Sequence, residues 1–211
     1  MTDTLALDKN AQDLLFRSAR TANSFTDEPV TDEQLRAIYD LVKFGPTAMN
    51  NQPLRVTVVR SPEARERLVR HMQGNNGPKT STAPLALVLS ADSDFHEHFP
   101  KTFPVAPDAR DNFAGMPVEA RESMALQNAF LQVAYLIVGV RAAGLAAGPM
   151  TGFDAEGLRK ELFGEDSKQR PIVVMNIGKP RVGSSRAEVR TCRTPMRSAP
   201  SLSGSHRLSS S

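Results

Sequence analysis

The segment from Pro117 to Gly144, PVEARESMALQNAFLQVAYLIVGVRAAG, constrains this chain more than any other. Its apolar stripe widens along its length, and from Ala129 to Val140 the sequence is apolar nearly all round. A helix of that composition is expected to lie buried at its C-terminal half, sheathed by other elements, with Gly144 as its stop. Its most apolar run, around Val133 to Val140, is about half of the ~20 residues that a membrane crossing needs. The first ten residues, MTDTLALDKN, carry two acids. Neither a membrane span nor a secretory leader is therefore expected. A chain of 211 residues with 40% hydrophobic content has room for one substantial core.

The sheath has to come from the remaining periodic segments. Leu7, Ala11, Leu14 and Leu15 recur at helical spacing and predict about three turns ending near Arg20. Thr31 before DEQLRAIYDLVKFG predicts a second helix, with Gln34 as capping-box partner, Leu35, Ile38, Leu41 and Val42 on one face, and Gly45 as the stop. Ser61 and Pro62 open a third, EARERLVRHM, and Asp154 caps a fourth that runs through Phe163. LRVTVVR, PLALVLSA and PIVVMNIG read as strands. PTAMNNQP, QGNNGPKTS and LAAGPMTGF read as loops, and residues 92–116 show no period and read as one long loop, a potential lid. Helices and strands are mixed without βαβ repetition or an internal repeat, so the expected class is α+β.

Net charge is +3, but the chain is not evenly basic. Residues 181–211 hold six arginines, one acid and nine serines; residues 1–180 hold 20 Lys and Arg against 22 Asp and Glu. The body is mildly acidic, and the basicity belongs to a Ser/Arg-rich ending expected to be disordered. That ending could neutralise several phosphates. With no aromatic residue to stack bases, nucleic acid is not expected as a partner. The single cysteine, Cys192, lies there too. The body thus has no thiol chemistry or disulfide, which suits a cytoplasmic protein.

Several chemistries lack their residues. Neither G-x-x-x-x-G-K-[ST] nor G-x-G-x-x-G occurs. His96 and His98 flank Glu97 at a spacing that puts both rings on one face of a strand, but nothing nearby completes a metal site. No Ser/His/Asp or Cys/His set stands out among four histidines. Chemistry without a protein nucleophile points to a bound cofactor. Three segments have residues for holding one. Arg20, Thr21 and Asn23 offer a guanidinium, a hydroxyl and an amide to a phosphate or ribityl group, or form a polar helix cap. Pro46, Thr47, Asn50, Asn51 and Gln52 suit hydrogen bonds to a heteroaromatic edge, or an Asx-type turn. Gly148 and Gly152, flanking Pro149, Met150 and Thr151, let backbone approach a flat ligand, or make a tight turn.

Taken in order, R-T-x-N after the first helix, G-P-T-x-x-N-x-x-P before the first strand, N-x-x-K at Asn76 and Lys79, AYLIVxxRAxGL and GPMxGFD resemble the FMN-dependent nitroreductase family over about residues 8–180. The branch is that of malonic semialdehyde reductase and the NADH dehydrogenase/NAD(P)H nitroreductases. The resemblance implies a nitroreductase-like FMN-binding fold, with an antiparallel-rich sheet flanked by helices, in a homodimer with FMN at each end of the interface. It implies no membrane partner and no metal. It further implies ping-pong chemistry: NADH or NADPH reduces the flavin at N5, and a small electron-poor acceptor then takes the hydride. The acceptor would be a nitro compound, a quinone or an aldehyde such as malonic semialdehyde. A flavin-binding carrier without turnover is the alternative. By the same resemblance Arg20 would hold the phosphate, with Thr21 and Asn23 beside it. Pro46, Thr47, Asn50 and Gln52 would lie along the isoalloxazine, Asn76 at its pyrimidine side and Lys79 near the nicotinamide. A backbone N–H within Gly148–Gly152 would reach N5. Past Pro180 the family pattern stops, and residues 181–211 are expected to be a divergent or out-of-frame extension, with Arg181 or Arg186 in place of a second phosphate-binding arginine.

Overall fold

The computed structural model describes residues 5–181; the Ser/Arg-rich ending, Arg186 and Cys192 fall outside them. Four strands, β1 (Leu54–Val59), β2 (Leu85–Asp92), β3 (Ala146–Met150) and β4 (Gln169–Gly178), form one sheet in the order β1-β2-β4-β3, every pair antiparallel. The helices are α1 (Lys9–Gln12), α2 (Asp32–Val42), α3 (Pro62–Arg70), α4 (Asn76–Ser81), α5 (Phe99–Thr102), α6 (Ala109–Ala114), α7 (Val118–Ala142) and α8 (Ala155–Phe163).

β2 is buried at every position, as expected of a central strand covered on both faces. On one face Leu85, Leu87, Leu89, Val173, Met175 and Ile177 meet Val133, Leu136 and Val140 of α7 and Ile38 of α2. On the other Ala86, Val88 and Val174 meet Leu68 of α3 and Leu158 of α8. The helix-start signals act as read. Thr31 and Gln34 form a reciprocal capping box on α2, Ser61 caps α3 above Pro62, and Asp154 caps α8. α7 is long and apolar enough to cross a membrane by length and composition alone, yet in this fold it is the core helix lying across the sheet. Its buried residues form a stripe from Arg121 to Val140 rather than filling its C-terminal half, and Phe130 and Leu131 face outward. Gly144, at φ 73°, ends it as expected.

Four expectations are corrected. The first helix passes from α1 into a π-turn at Asp13–Arg17, closed by the Ser18 N–H on the Asp13 carbonyl, and stops short of Arg20. QGNNGPKTS contains α4, where Gly77 lies against Val69. Residues 92–116 are not a lid loop. They carry a 3-10 turn (Phe95–His98), α5 and α6, gathered by edge-on contacts among Phe95, Phe99 and Phe113 with centroids 5.2–5.8 Å apart. These pieces are under two turns each, too short to show a period. The turn also separates the two histidines: His96 is buried and His98 exposed, so they do not share a face. Finally, LAAGPM is an edge strand. Its Gly and Pro content reads as a loop, but Pro149 is tolerated on a strand whose outer side has no ladder to complete.

Candidate functional site

Register places the β3 donors. The Ala22 N–H bonds the Ala147 carbonyl at 3.3 Å from outside the sheet. By alternation Ala146, Gly148 and Met150 bond inward to β4, while Ala147, Pro149 and Thr151 face the open edge. Beyond Met150 the carbonyls turn inward. The Phe153 N–H bonds the Thr151 carbonyl at 3.2 Å, and the Gly152 carbonyl accepts from the Gln73 N–H and from Asn76 Nδ2, both at 3.0 Å. The N–H groups of Thr151 and Gly152 have no acceptor among the described residues. Two adjacent free N–H groups at a sheet edge are donors to whatever lies there. Asn76 Nδ2 spends one of its two hydrogens on that carbonyl, which leaves its second N–H and the acceptor Oδ1 to offer. Half-buried Lys79 has no ion pair among the described residues.

Both glycines have an intrachain reason. A Cβ on Gly148 would stand 2.7 Å from the Ala22 carbonyl oxygen, and one on Gly152 2.8 Å from Asn76 Nδ2. The missing side chains thus let residues 20–23 and α4 close on β3. Arg20, the polar helix cap among the expected alternatives, donates from Nη1 to the Arg17 and Ala19 carbonyls at 2.7 and 2.9 Å. Its side chain also lines a cavity of about 250 Å³ with Ser18, Ala22, Arg141 and Ala146. Thr21 is half-buried and Asn23 exposed. Arg181 turns to the Phe25 carbonyl and to Asp27.

Pro46 to Gln52 lies elsewhere. Its backbone is tightly wound, with Met49, Asn50 and Gln52 all at positive φ, between 44 and 52°. One face of α7 holds it. Ala48 donates to Asn128 Oδ1 at 2.8 Å, Gln132 donates to Gln52 Oε1 at 2.5 Å, and the Tyr135 hydroxyl donates to the Pro46 carbonyl at 3.0 Å. Gln132 Oε1 also accepts the Leu54 N–H, which starts β1. Asn50 donates to the Thr102 carbonyl and accepts from Gln52 Nε2, both at 2.7 Å. Thr47 Oγ1 accepts the Gln52 N–H. These amides, read from sequence as ligand contacts, brace the loop itself. Asn51 is fully buried with neither amide atom bonded.

Residues 20–23, 76–79 and 148–152 therefore converge on the β3 edge, whereas residues 46–52 stand at the start of β1, on the opposite edge. Three strand spacings of about 4.8 Å put roughly 14 Å between those edges. Asn128, Gln132 and Tyr135 were missed as site-shaping residues. Their signal is present, a polar stripe at i, i+4 and i+7 on the most apolar helix of the chain.

The comparisons agree with the fold. The model of the nitroreductase family matches residues 16–179. A relative in Streptomyces coelicolor, named "Putative NADH dehydrogenase/NAD(P)H nitroreductase", is 65% identical over 178 residues, covering 84% of this chain and 89% of its own. Among solved structures, a Bacillus subtilis protein described as a putative nitroreductase superposes with TM-score 0.73 at 24% identity, over 86% of this chain and 93% of its own. A putative nitroreductase from Exiguobacterium sibiricum, solved in complex with FMN, gives TM-score 0.73 at 18% identity, over 94% and 96%. The fold, the edge geometry and these matches lead to one assignment: the chain belongs to the nitroreductase family.

Proposed function

We propose that this chain is an FMN-dependent NAD(P)H oxidoreductase that works as a homodimer and reduces a small electron-poor acceptor. The observation that carries the reading is the pair of N–H groups on Thr151 and Gly152 without an acceptor among the described residues, beside an Asn76 amide that orients its Oδ1 by one bond to the Gly152 carbonyl. That donor and acceptor set fits a flavin edge, which presents an accepting ring nitrogen and carbonyl near a donating imide N–H. When bound, FMN supplies the hydride relay between NAD(P)H and acceptor. The chain's own residues orient and polarise. With FMN held there, the Thr151 and Gly152 N–H groups would supply fixed dipoles that favour negative charge without a titrating side chain. Asn76 would hold the ring through its amide, Lys79 would bring a cation near it, and Arg20 would offer a guanidinium to the phosphate.

A second copy supplies the Pro46–Gln52 wall. The loop and β3 are held at opposite edges of one sheet, so a ring touching both draws one of them from a partner chain. The outward apolar side chains support this: Phe44, beside the loop, is 79% exposed, and Phe130 and Leu131 on α7 are also uncovered. Pro46, Thr47, Asn50 and Gln52 then act as a braced surface rather than as free amides. A cytoplasmic setting, where NAD(P)H is held, fits the cysteine-free body.

The test is an absorbance spectrum near 450 nm on purified protein reconstituted with FMN, followed by NADH and then NADPH under argon. Bleaching by either supports the oxidoreductase. Bound flavin that neither reductant bleaches makes the chain a carrier, and absence of flavin uptake overturns the reading. Reoxidation by nitrofurazone, a quinone or malonic semialdehyde sorts the acceptor, including the specific case of a malonic semialdehyde reductase.

A further inference from the structure

Behind the free N–H groups lies a cluster that the proposed chemistry leaves unused. Residues 71–73 run antiparallel to residues 152–154 as a short ribbon. Asp154 N–H bonds the His71 carbonyl at 2.8 Å, Met72 bridges Phe153, and Gln73 N–H bonds the Gly152 carbonyl at 3.0 Å. At the far end the His71 ring, with 17% of its side chain exposed, lies 2.5 Å from Glu161 of α8 through Nε2. Arg67 and Arg70 of α3 each reach the same carboxylate at 2.9 Å. Asp154, at the start of α8, stands 3.9 Å from His71 Nδ1, too far for a hydrogen bond. Held by two guanidiniums and the imidazole, Glu161 keeps its carboxyl down at about 2. An ionised carboxylate only accepts, so Nε2 carries the proton and donates. The slot depends on Gly157, because a Cβ there would stand 2.8 Å from Nδ1.

We infer that His71 is a positioning residue for the proposed flavin edge. Its Nε2–H bond to Glu161 pins the 71–73 ribbon, and through it the Gly152 carbonyl and the direction of the Thr151 and Gly152 N–H groups. The chain of contacts is continuous. Glu161 fixes the imidazole, the His71 main chain fixes Asp154, and two residues on, Gln73 and Asn76 share the Gly152 carbonyl. Loss of the anchor lets that peptide rotate, and a donor moved by a fraction of an ångström no longer meets the atom it serves. The catalytic half of this inference rests on the FMN reading; the pinned ribbon does not.

The test compares His71→Leu, which removes the bond at similar volume, with His71→Gln, which retains a terminal donor. Two readouts are followed on the full chain. Amide exchange at Gln73 and Asp154 is read with and without FMN, and the limiting rate of flavin reduction is read at saturating reductant together with the FMN Kd. His71→Leu is expected to speed exchange at both amides about 10-fold. It is also expected to slow limiting reduction about 10-fold while the FMN Kd moves less than about threefold. His71→Gln returns both to within about threefold of wild type. Unchanged exchange in His71→Leu overturns the inference with or without flavin. His71→Gln as defective as His71→Leu overturns it too, because packing alone would then explain the effect. If His71→Leu does not fold, Glu161→Ala, which removes the acceptor with the ring in place, carries the same readouts, and wild-type values there overturn the inference. Wild-type protein that takes up no FMN sinks the proposed function separately, and the exchange data still decide the ribbon.

Discussion

The two edges of the sheet reach their roles by opposite means. At the β1 edge, loop 46–52 engages the Asn50 and Gln52 amides and the Thr47 hydroxyl within its own chain, and holds three non-glycine residues at positive φ. At the β3 edge Ala146, Ala147 and Gly148 are small, the Ala147, Thr151 and Gly152 carbonyls are engaged, and two adjacent N–H groups are left over. Apart from the buried, unbonded Asn51 amide, the first is a finished surface, and the second is an unfinished one. A finished surface suits contact with a separate body, and an unfinished one suits a ligand that completes it. The same polar composition thus reads as two functions once hydrogen bonds are assigned.

The sharpest way to break this contrast is to disable each edge in a different chain. Gly148→Val drives a side chain into the Ala22 carbonyl, which is backbone and cannot step aside, and such overpacking costs about 2 kcal/mol. Homodimers of that variant should retain no flavin. Gln52→Pro, which removes the N–H on Thr47 and cannot adopt the observed φ of 44°, should spoil the loop in the same all-or-none way. Refolding the two inactive variants together at equal amounts forms mixed dimers with one intact site in two. About a quarter of wild-type flavin reduction is then expected. No recovery on mixing would show that each chain builds its site alone.

A smaller effect separates the support from the surface. Asn128→Ala removes the acceptor of the Ala48 N–H, and because Ala48 is exposed and water can take its place, the loss is that of one hydrogen bond, about 0.5–1.5 kcal/mol. Urea unfolding should register that loss, and the β3 edge should keep its exchange pattern. A matching loss of protection at Gln73 would mean the edges are coupled through the core.

How far the sequence could show this depended on whether the signal was local. Thr31 and Gln34, three apart, are a complete instruction for starting α2, and the unbroken apolar runs of β2 and β4 require cover on both faces. The segments proposed to hold the cofactor were legible as residue types in order. Their division between edges was not, because strand order follows from which faces pack and not from chain order. β3 was hidden by Gly148 and Pro149, whose loop-like chemistry is harmless on an edge. α5 and α6 are ordered by phenylalanine contacts between segments, which no short window contains. Asn128, Gln132 and Tyr135 show the reverse case: the pattern was present, and the apolar weight of α7 masked it.

Acid should distinguish the edges next. Glu161 sits below its ordinary 4.5, at about 2, because His71, Arg67 and Arg70 bond its ionised form. A carboxylate with a depressed folded-state pKa contributes stability that is fully present above about 4.5 and is lost as pH falls towards 2. Exchange along the 71–73 and 152–154 ribbon should therefore accelerate over that window, while loop 46–52, which is braced by amides, a hydroxyl and backbone groups, holds. Glu161→Gln should flatten the pH dependence of the ribbon. A flat ribbon in wild type would remove Glu161 from its support.

The smallest expected change in the isolated chain bears most directly on what the β1 edge faces. Val56 and Val58 lie on the sheet face that carries Leu87 and Leu89, yet they are 45% and 43% exposed, lining an open groove together with residues of α2 and α7. In a chain that stands alone, Val56→Thr touches an exposed β-branched position and should alter unfolding free energy by no more than about 0.5 kcal/mol. If the edge is covered by a second copy, the added hydroxyl enters an apolar contact and must lose its water. Sedimentation velocity across a dilution series should then show dissociation at higher protein concentration than wild type, while urea unfolding of the dilute chain stays the same. An unchanged association constant would place the partner elsewhere on the molecule, with Phe130 and Leu131 on the outer face of α7 as one uncovered apolar pair.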